Sequence, residues 1–101
     1  MTNSIELRLL TPEGELARTE CDSVNLFARD NAKGEGGGSV GIRPGHLPAV
    51  IALEPGSSVT ALAGGKEVLR AFVGGGFARV GRNLVVITAP TASGAEQIYE
   101  S

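Results

Sequence analysis

Short apolar stretches, each cut off within a few residues by a glycine or proline turn signal, restrict this chain to a fold built from strands. Pro12-Glu13-Gly14, Pro44-Gly45, Pro55-Gly56, Gly64-Gly65, Gly74-Gly75-Gly76 and Gly81-Arg82-Asn83 punctuate it at short intervals. Between these signals Ile5, Leu7 and Leu9 alternate with Glu6 and Arg8, Val24 and Leu26 with Ser23 and Asn25, and Val59 and Ala61 with Ser58 and Thr60. A period of two marks a strand with one buried face. Residues 67–73 and 84–88 are apolar and rich in β-branched side chains, which fit a pleated surface. Gly64-Gly65, between VTALA and KEVLR, predicts a two-residue hairpin. No segment sustains a 3.6-residue period, and a helix start is visible only at Ala95 in the tail TASGAEQIYES. The pattern predicts an all-β sandwich or small barrel.

Composition narrows the function. A chain of 101 residues is one domain, or one domain with a small tail, and can bury a core without covalent staples. A net charge of −2 argues against a nucleic-acid surface. The single cysteine, Cys21, excludes an internal disulfide and any multi-cysteine metal site. With no adjacent cation to activate it, Cys21 reads as a small buried core or edge residue. The opening MTNSIELRLL lacks the basic start and apolar centre of a secretion signal. No apolar run approaches the roughly 20 residues of a membrane-spanning helix. Glu13 and Glu15 flank a turn and read as solvated charges, so no acid/base pair is visible. Phe72 and Phe77 flank the glycine triplet and are predicted to lie in the core.

The stretch GGGSVGIRPGHLP, Gly36 to Pro48, invites three motif readings. Gly36, Gly38 and Gly41 match G-x-G-x-x-G, but a dinucleotide site needs a helix opening at once, and Pro44, Gly45 and Pro48 forbid one. Residues 37–41 match G-x-S-x-G, but the only histidine, His46, lies seven positions on across a proline, and strand–turn–helix context is missing. Neither Lys33 nor Lys66 belongs to a P-loop, so no ATP site, cofactor or metal is expected, and no residue is assigned a catalytic role. His46 reads either as a hydrogen-bonding residue of the turn or as an interface residue.

The third reading concerns the longer segment GSVGIRPGHLPAVIALEPG, residues 38–56. It resembles the epsilon subunit of rotary F-type ATP synthases. ELRLLTPEGEL (6–16) is similar to that family's first strand and turn, AFVGGGFARV (71–80) to its glycine-linked strand pair, and LVVITAPTA (84–92) to its final strand. The resemblance runs from about Ser4 to Ala92. It implies a flattened antiparallel β-sandwich of about ten short strands over residues 1–92, with 93–101 as a short C-terminal tail. It also implies a non-catalytic central-stalk subunit that docks gamma onto the membrane c-ring and couples ion translocation to ATP synthesis. Alpha and beta subunits would be reached only indirectly. The membrane would be reached only through the complex, at the cytoplasmic face of the bacterial plasma membrane.

By that analogy the partner interface with gamma or the ring comprises Ser39, Ile42, Arg43 and His46. The chain departs from the family pattern at several places. Ser39 stands where the family often has an acid, and Arg43 where it often has an apolar or aromatic residue. The loop Arg29 to Gly38 is about seven residues longer than usual. Residues 93–101 are too few for the family's C-terminal helical pair, which restrains ATP hydrolysis, so the chain reads as a short member or an excised domain. A free-standing binding module for a sugar or peptide is the alternative. It would need an aromatic platform built from Phe27, Phe72, Phe77 and Tyr99.

Overall fold

A computed structural model describes residues 4–30 and 37–97 of the chain. Ten strands form in chain order: β1 (Ile5–Thr11), β2 (Gly14–Cys21), β3 (Ser23–Ala28), β4 (Gly38–Ile42), β5 (Ala49–Ala52), β6 (Pro55–Ala63), β7 (Lys66–Gly74), β8 (Phe77–Val80), β9 (Leu84–Thr88) and β10 (Ala92–Gln97). They make two five-stranded sheets, a first of order β2-β1-β9-β8-β5 and a second of order β10-β7-β6-β3-β4. The molecule is a flattened sandwich measuring 44 × 28 × 21 Å. All pairings are antiparallel but one, since β1 and β9 run parallel with Leu7 beside Val85 and Leu9 beside Ile87.

The alternation read from the sequence decides which side chains enter the core. Ile5, Leu7 and Leu9 of β1, Val24 and Leu26 of β3, Val59 and Ala61 of β6, Leu69, Ala71 and Val73 of β7, and Val85 and Ile87 of β9 are all buried between the sheets. Every buried residue among those described is apolar, so none leaves a polar group needing a partner in the core. Fully burying a side chain of this size contributes about 1.5–3 kcal/mol. The hairpin predicted at Gly64-Gly65 is present, closing Ala63 onto Lys66.

The glycine triplet is a crossover device. It carries the chain from β7 in the second sheet to β8 in the first, alongside the return from β9 to β10. The Gly74 amide donates to the Thr91 carbonyl at 2.9 Å, and the Gly76 carbonyl accepts from the Leu53 amide at 2.9 Å. A Cβ on Gly76 would stand 2.2 Å from the Thr88 carbonyl oxygen, and its φ of +100° is one that side-chain-bearing residues rarely adopt.

Two expectations are corrected here. Phe72 and Phe77 are not core residues: they are 47% and 58% exposed. Each shares its strand's outward parity with an arginine, Arg70 and Arg79 respectively, while Ala71, Val73, Ala78 and Val80 point inward. The helix start at Ala95 is replaced by β10, which pairs Ala92 with Val73 and Gln97 with Leu69 across a register shift between Ser93 and Glu96. The open edge of β7 offers a row of unpaired backbone groups, and satisfying them outweighs the local helix preference of a few residues. The glycine-rich patch 34–38 falls largely outside the described residues, as does Tyr99.

Candidate partner-docking surface

The loop carrying the Pro-Gly-His motif is fixed by its backbone. The His46 amide donates to the Arg43 carbonyl at 3.1 Å, which closes a four-residue turn with Pro44 and Gly45 at its centre. Gly45 has a φ of +83°, so Pro at the second position and Gly at the third give a type II turn. The Gly45 amide donates to the Arg82 carbonyl at 2.7 Å and ties this turn to the one between β8 and β9. His46 is half-buried, with Nδ1 lying 2.7 Å from the Leu47 carbonyl oxygen. A carbonyl only accepts, so Nδ1 carries a hydrogen and a neutral ring leaves Nε2 as the acceptor.

The four residues assigned to the interface are not brought together. Ser39 is exposed on the edge strand β4, opposite Phe27, on the outer face of the second sheet. Arg43 is exposed and His46 half-buried in the loop at one end of the sandwich. Ile42 is 0% exposed and belongs to the core. The expectation that its side chain meets a partner is therefore corrected: β4 directs Ile42 inward beside Val24 before the chain leaves the sheet.

What the structure does assemble is an apolar surface on the outer face of the first sheet. The register sets two rows across it. One runs Val50–Arg79–Val86–Arg8–Arg18, the other Ala52–Phe77–Thr88–Leu10–Glu15. Val50 is 67% and Leu84 40% exposed, and Leu47, in the loop leading into β5, is 79% exposed. Leu10, Val50, Phe77, Arg79, Val86 and Thr88 surround a shallow depression of about 440 Å³. Scattered exposed apolar residues are ordinary, whereas a contiguous set on one sheet face is a candidate docking surface.

The charges on this face divide unevenly. The Arg8 Nε meets Glu6 Oε2 at 2.7 Å, and an Arg18 terminal nitrogen meets Glu15 Oε1 at 3.1 Å. Both pairs lie on β1 and β2, where Arg8 stands beside Val86 and Glu15 beside Leu10, at the side of the depression across from Arg79. Arg79, at the depression, has no ion pair among the described residues. Leu47 lies within the segment Ile42 to Pro48 that the resemblance turns toward a partner, Phe77 is expected in the core, and Val50 and Arg79 are singled out by no sequence motif. The parity of β8 held the signal, because an inward Ala78 and Val80 oblige Phe77 and Arg79 to face out together.

The three phenylalanines do not form one aromatic platform. Phe27 and Phe72 project from the second sheet and Phe77 from the first. Cys21 is buried, and burial, followed by the charge of Asp22, pushes its thiol up to about 11; the Ser23 amide pulls it down in part, and Glu20 adds a smaller upward push. It is an inert core thiol. No helix among the described residues is long and apolar enough to cross a membrane.

Comparison with known proteins agrees with the geometry. Residues 4–95 match the family model of the ATP synthase delta/epsilon chain β-sandwich domain. The chain is 39% identical over 95 residues to the ATP synthase epsilon chain of Anaeromyxobacter sp. (strain Fw109-5), covering 94% of this chain and 65% of that one. It is 35% identical over 88 residues to the ATP synthase epsilon chain of Frankia casuarinae, covering 87% of this chain and 94% of the relative. Among solved structures it is similar to a chain of the Euglena gracilis mitochondrial ATP synthase (OSCP/F1/c-ring), with a TM-score of 0.71, 25% identity, and 92% of this chain and 54% of that one covered. A chain of the Tetrahymena thermophila mitochondrial ATP synthase central stalk and c-ring shares the fold, with a TM-score of 0.62, 22% identity, and 88% of this chain and 65% of that one covered. The fold, the order of its strands and these likenesses lead to one conclusion: the chain belongs to the ATP synthase delta/epsilon family, and the residues described here are its β-sandwich domain.

Proposed function

We propose that this domain is a non-catalytic rotor module of an F-type ATP synthase, and that the outer face of its first sheet packs on the gamma subunit. The observation that supports this most directly is the contiguous apolar surface made by exposed Val50, Phe77 and Leu84 with half-buried Leu10 and Val86. The relatives are synthase epsilon chains, and the matched Euglena assembly contains F1 and a c-ring. The end of the sandwich that carries Arg43, His46 and Leu47 contacts the loops of the c-ring, so that ring and gamma turn as one body. Ser39 sits apart on the second sheet and has no part in the gamma contact. The module works peripherally, at the cytoplasmic face of a bacterial plasma membrane, and couples ion flow to synthesis by transmitting torque.

An interface of standard size covers roughly 800 Å² on each partner, and its buried aromatic centre carries much of the affinity. The test is calorimetric binding to gamma of the same synthase. Phe77→Asp combined with Val50→Asp is expected to weaken binding by at least a hundred-fold while far-UV circular dichroism and Tm stay near wild type, since both side chains are exposed. An unchanged affinity removes the first sheet from the gamma contact.

A further inference from the structure

We propose that gamma places a carboxylate against Arg79, and that this ion pair fixes the position at which gamma docks along the first sheet. The inference rests on the docking reading above and adds the chemistry of the partner. Three arginines share the cross-strand row on this face: Arg79, Arg8 and Arg18. Arg8 is matched within the chain by Glu6 and Arg18 by Glu15. Arg79 alone of the three has no carboxylate among the described residues. Its neighbours in the row are Val50 and Val86, and Phe77 lies two residues along the same strand on the same face.

A guanidinium in open water needs no partner. Once an apolar surface covers Val50, Phe77 and Val86, the water around Arg79 goes with it, and an uncompensated charge there opposes docking. Within this face the acids stand on β1 and β2, on the far side of Val86: Glu6 and Glu15 meet Arg8 and Arg18, and Glu20 accepts from the Ser4 hydroxyl. The compensating acceptor therefore comes from the partner. The planar guanidinium fork matches a carboxylate through two parallel hydrogen bonds, so it specifies position and direction as well as sign. An apolar depression accepts many side chains, whereas a single cation inside its rim accepts one register. The matching gamma surface is an apolar strip interrupted by one Asp or Glu.

Four variants, Arg79→Met, Arg79→Lys, Arg79→Glu and Phe77→Asp, are titrated against gamma of the same synthase, with circular dichroism and Tm as checks on folding. Arg79→Met keeps an apolar side chain of similar length and removes the charge. It is expected to weaken binding about thirty-fold, as removing one member of a covered charge pair does. Arg79→Glu is expected to weaken it at least a hundred-fold, and Arg79→Lys to lie between wild type and Arg79→Met. Changing each Asp and Glu of gamma to Lys in turn is expected to reveal one site that partly restores binding to Arg79→Glu. Arg79→Met binding as tightly as wild type or tighter overturns the ion pair, and so does a gamma scan in which no acid restores binding. If Phe77→Asp abolishes binding while Arg79→Met does not, only the ion pair falls. If Phe77→Asp also leaves the affinity unchanged, the docking reading itself has failed.

Discussion

Replacing Gly76 by alanine should be among the most damaging single-methyl additions this domain can receive. The added Cβ would lie 2.2 Å from the Thr88 carbonyl oxygen, 2.8 Å from the Ala89 Cα and 3.0 Å from the Thr88 carbonyl carbon. All three atoms are backbone, so no flexible side chain can swing aside. Neither strand crossing is free to move. The Gly76 carbonyl holds the Leu53 amide at 2.9 Å, and the Ala89 amide holds the Leu10 carbonyl at 2.9 Å. Two costs combine. A side-chain-bearing residue at this positive φ costs about 1–3 kcal/mol. Forcing a methyl into a packed site costs about 1–3 kcal/mol more. The sum, roughly 2–6 kcal/mol, is a large part of the ~5–15 kcal/mol that holds a domain of this size together.

Gly14→Ala separates the two costs. Gly14 has a φ of +118°, but a Cβ there would meet nothing within 4 Å, so only the backbone cost applies. Urea unfolding followed by far-UV circular dichroism measures both variants, with equal slopes required before midpoints are converted to free energies. Gly76→Ala is expected to be the more destabilising by about 1–3 kcal/mol. Equality of the two within about 0.5 kcal/mol would refute the idea that the two crossovers pack backbone against backbone at this point.

Ile42→Ala is expected to destabilise the domain by about 2–4 kcal/mol in the same assay, as large-to-small core changes do, and Arg43→Ala by no more than about 0.5 kcal/mol; equal effects would place Ile42 outside the core. Phe72→Asp, on the face opposite Phe77, is expected to leave affinity for gamma within about twofold, and a large loss would move the interface to the second sheet. Cys21 adds a pH dependence. Its thiol is pushed up to about 11 in the folded domain from an ordinary value of 9.0, so between those two values the unfolded chain has released a proton that the native one keeps. The contribution of Cys21 is then constant below about pH 9 and falls by about 2–3 kcal/mol as pH rises toward 11, and the loss is absent in Cys21→Ala. A Cys21→Ala variant that loses stability over the same alkaline range would assign the effect to other groups.

The sequence carried the strands and their inward faces because both depend on neighbours one and two residues away. Ile5, Leu7 and Leu9 declare a buried face by alternation alone, and Gly64-Gly65 declares its hairpin by turn chemistry. Features that depend on distant partners were not visible. The parallel pairing of β1 with β9 joins segments almost eighty residues apart, and β10 forms because β7 has an open edge, not because SGAEQ favours a strand. Ile42 adjoins the Pro-Gly-His loop in sequence, yet it is the last residue of β4, and whether the chain turns before or after it decides between surface and core.

The phenylalanines were a different case, because the necessary signal was present and was outweighed by a simpler rule. Aromatic rings beside a glycine triplet suggest a core, whereas the four residues FARV of β8 cannot place Phe77 inside without placing Arg79 there too. With Ala78 and Val80 buried, both larger side chains must lie outside. A strand that turns its small residues inward and an aromatic–cation pair outward contributes less to its own core than its composition allows. That arrangement leaves Phe77 and Arg79 to solvent in the isolated domain. On the docking reading proposed above, a partner that covers Phe77 with apolar surface would also have to bring an anion to Arg79, so a single docking event would answer both side chains.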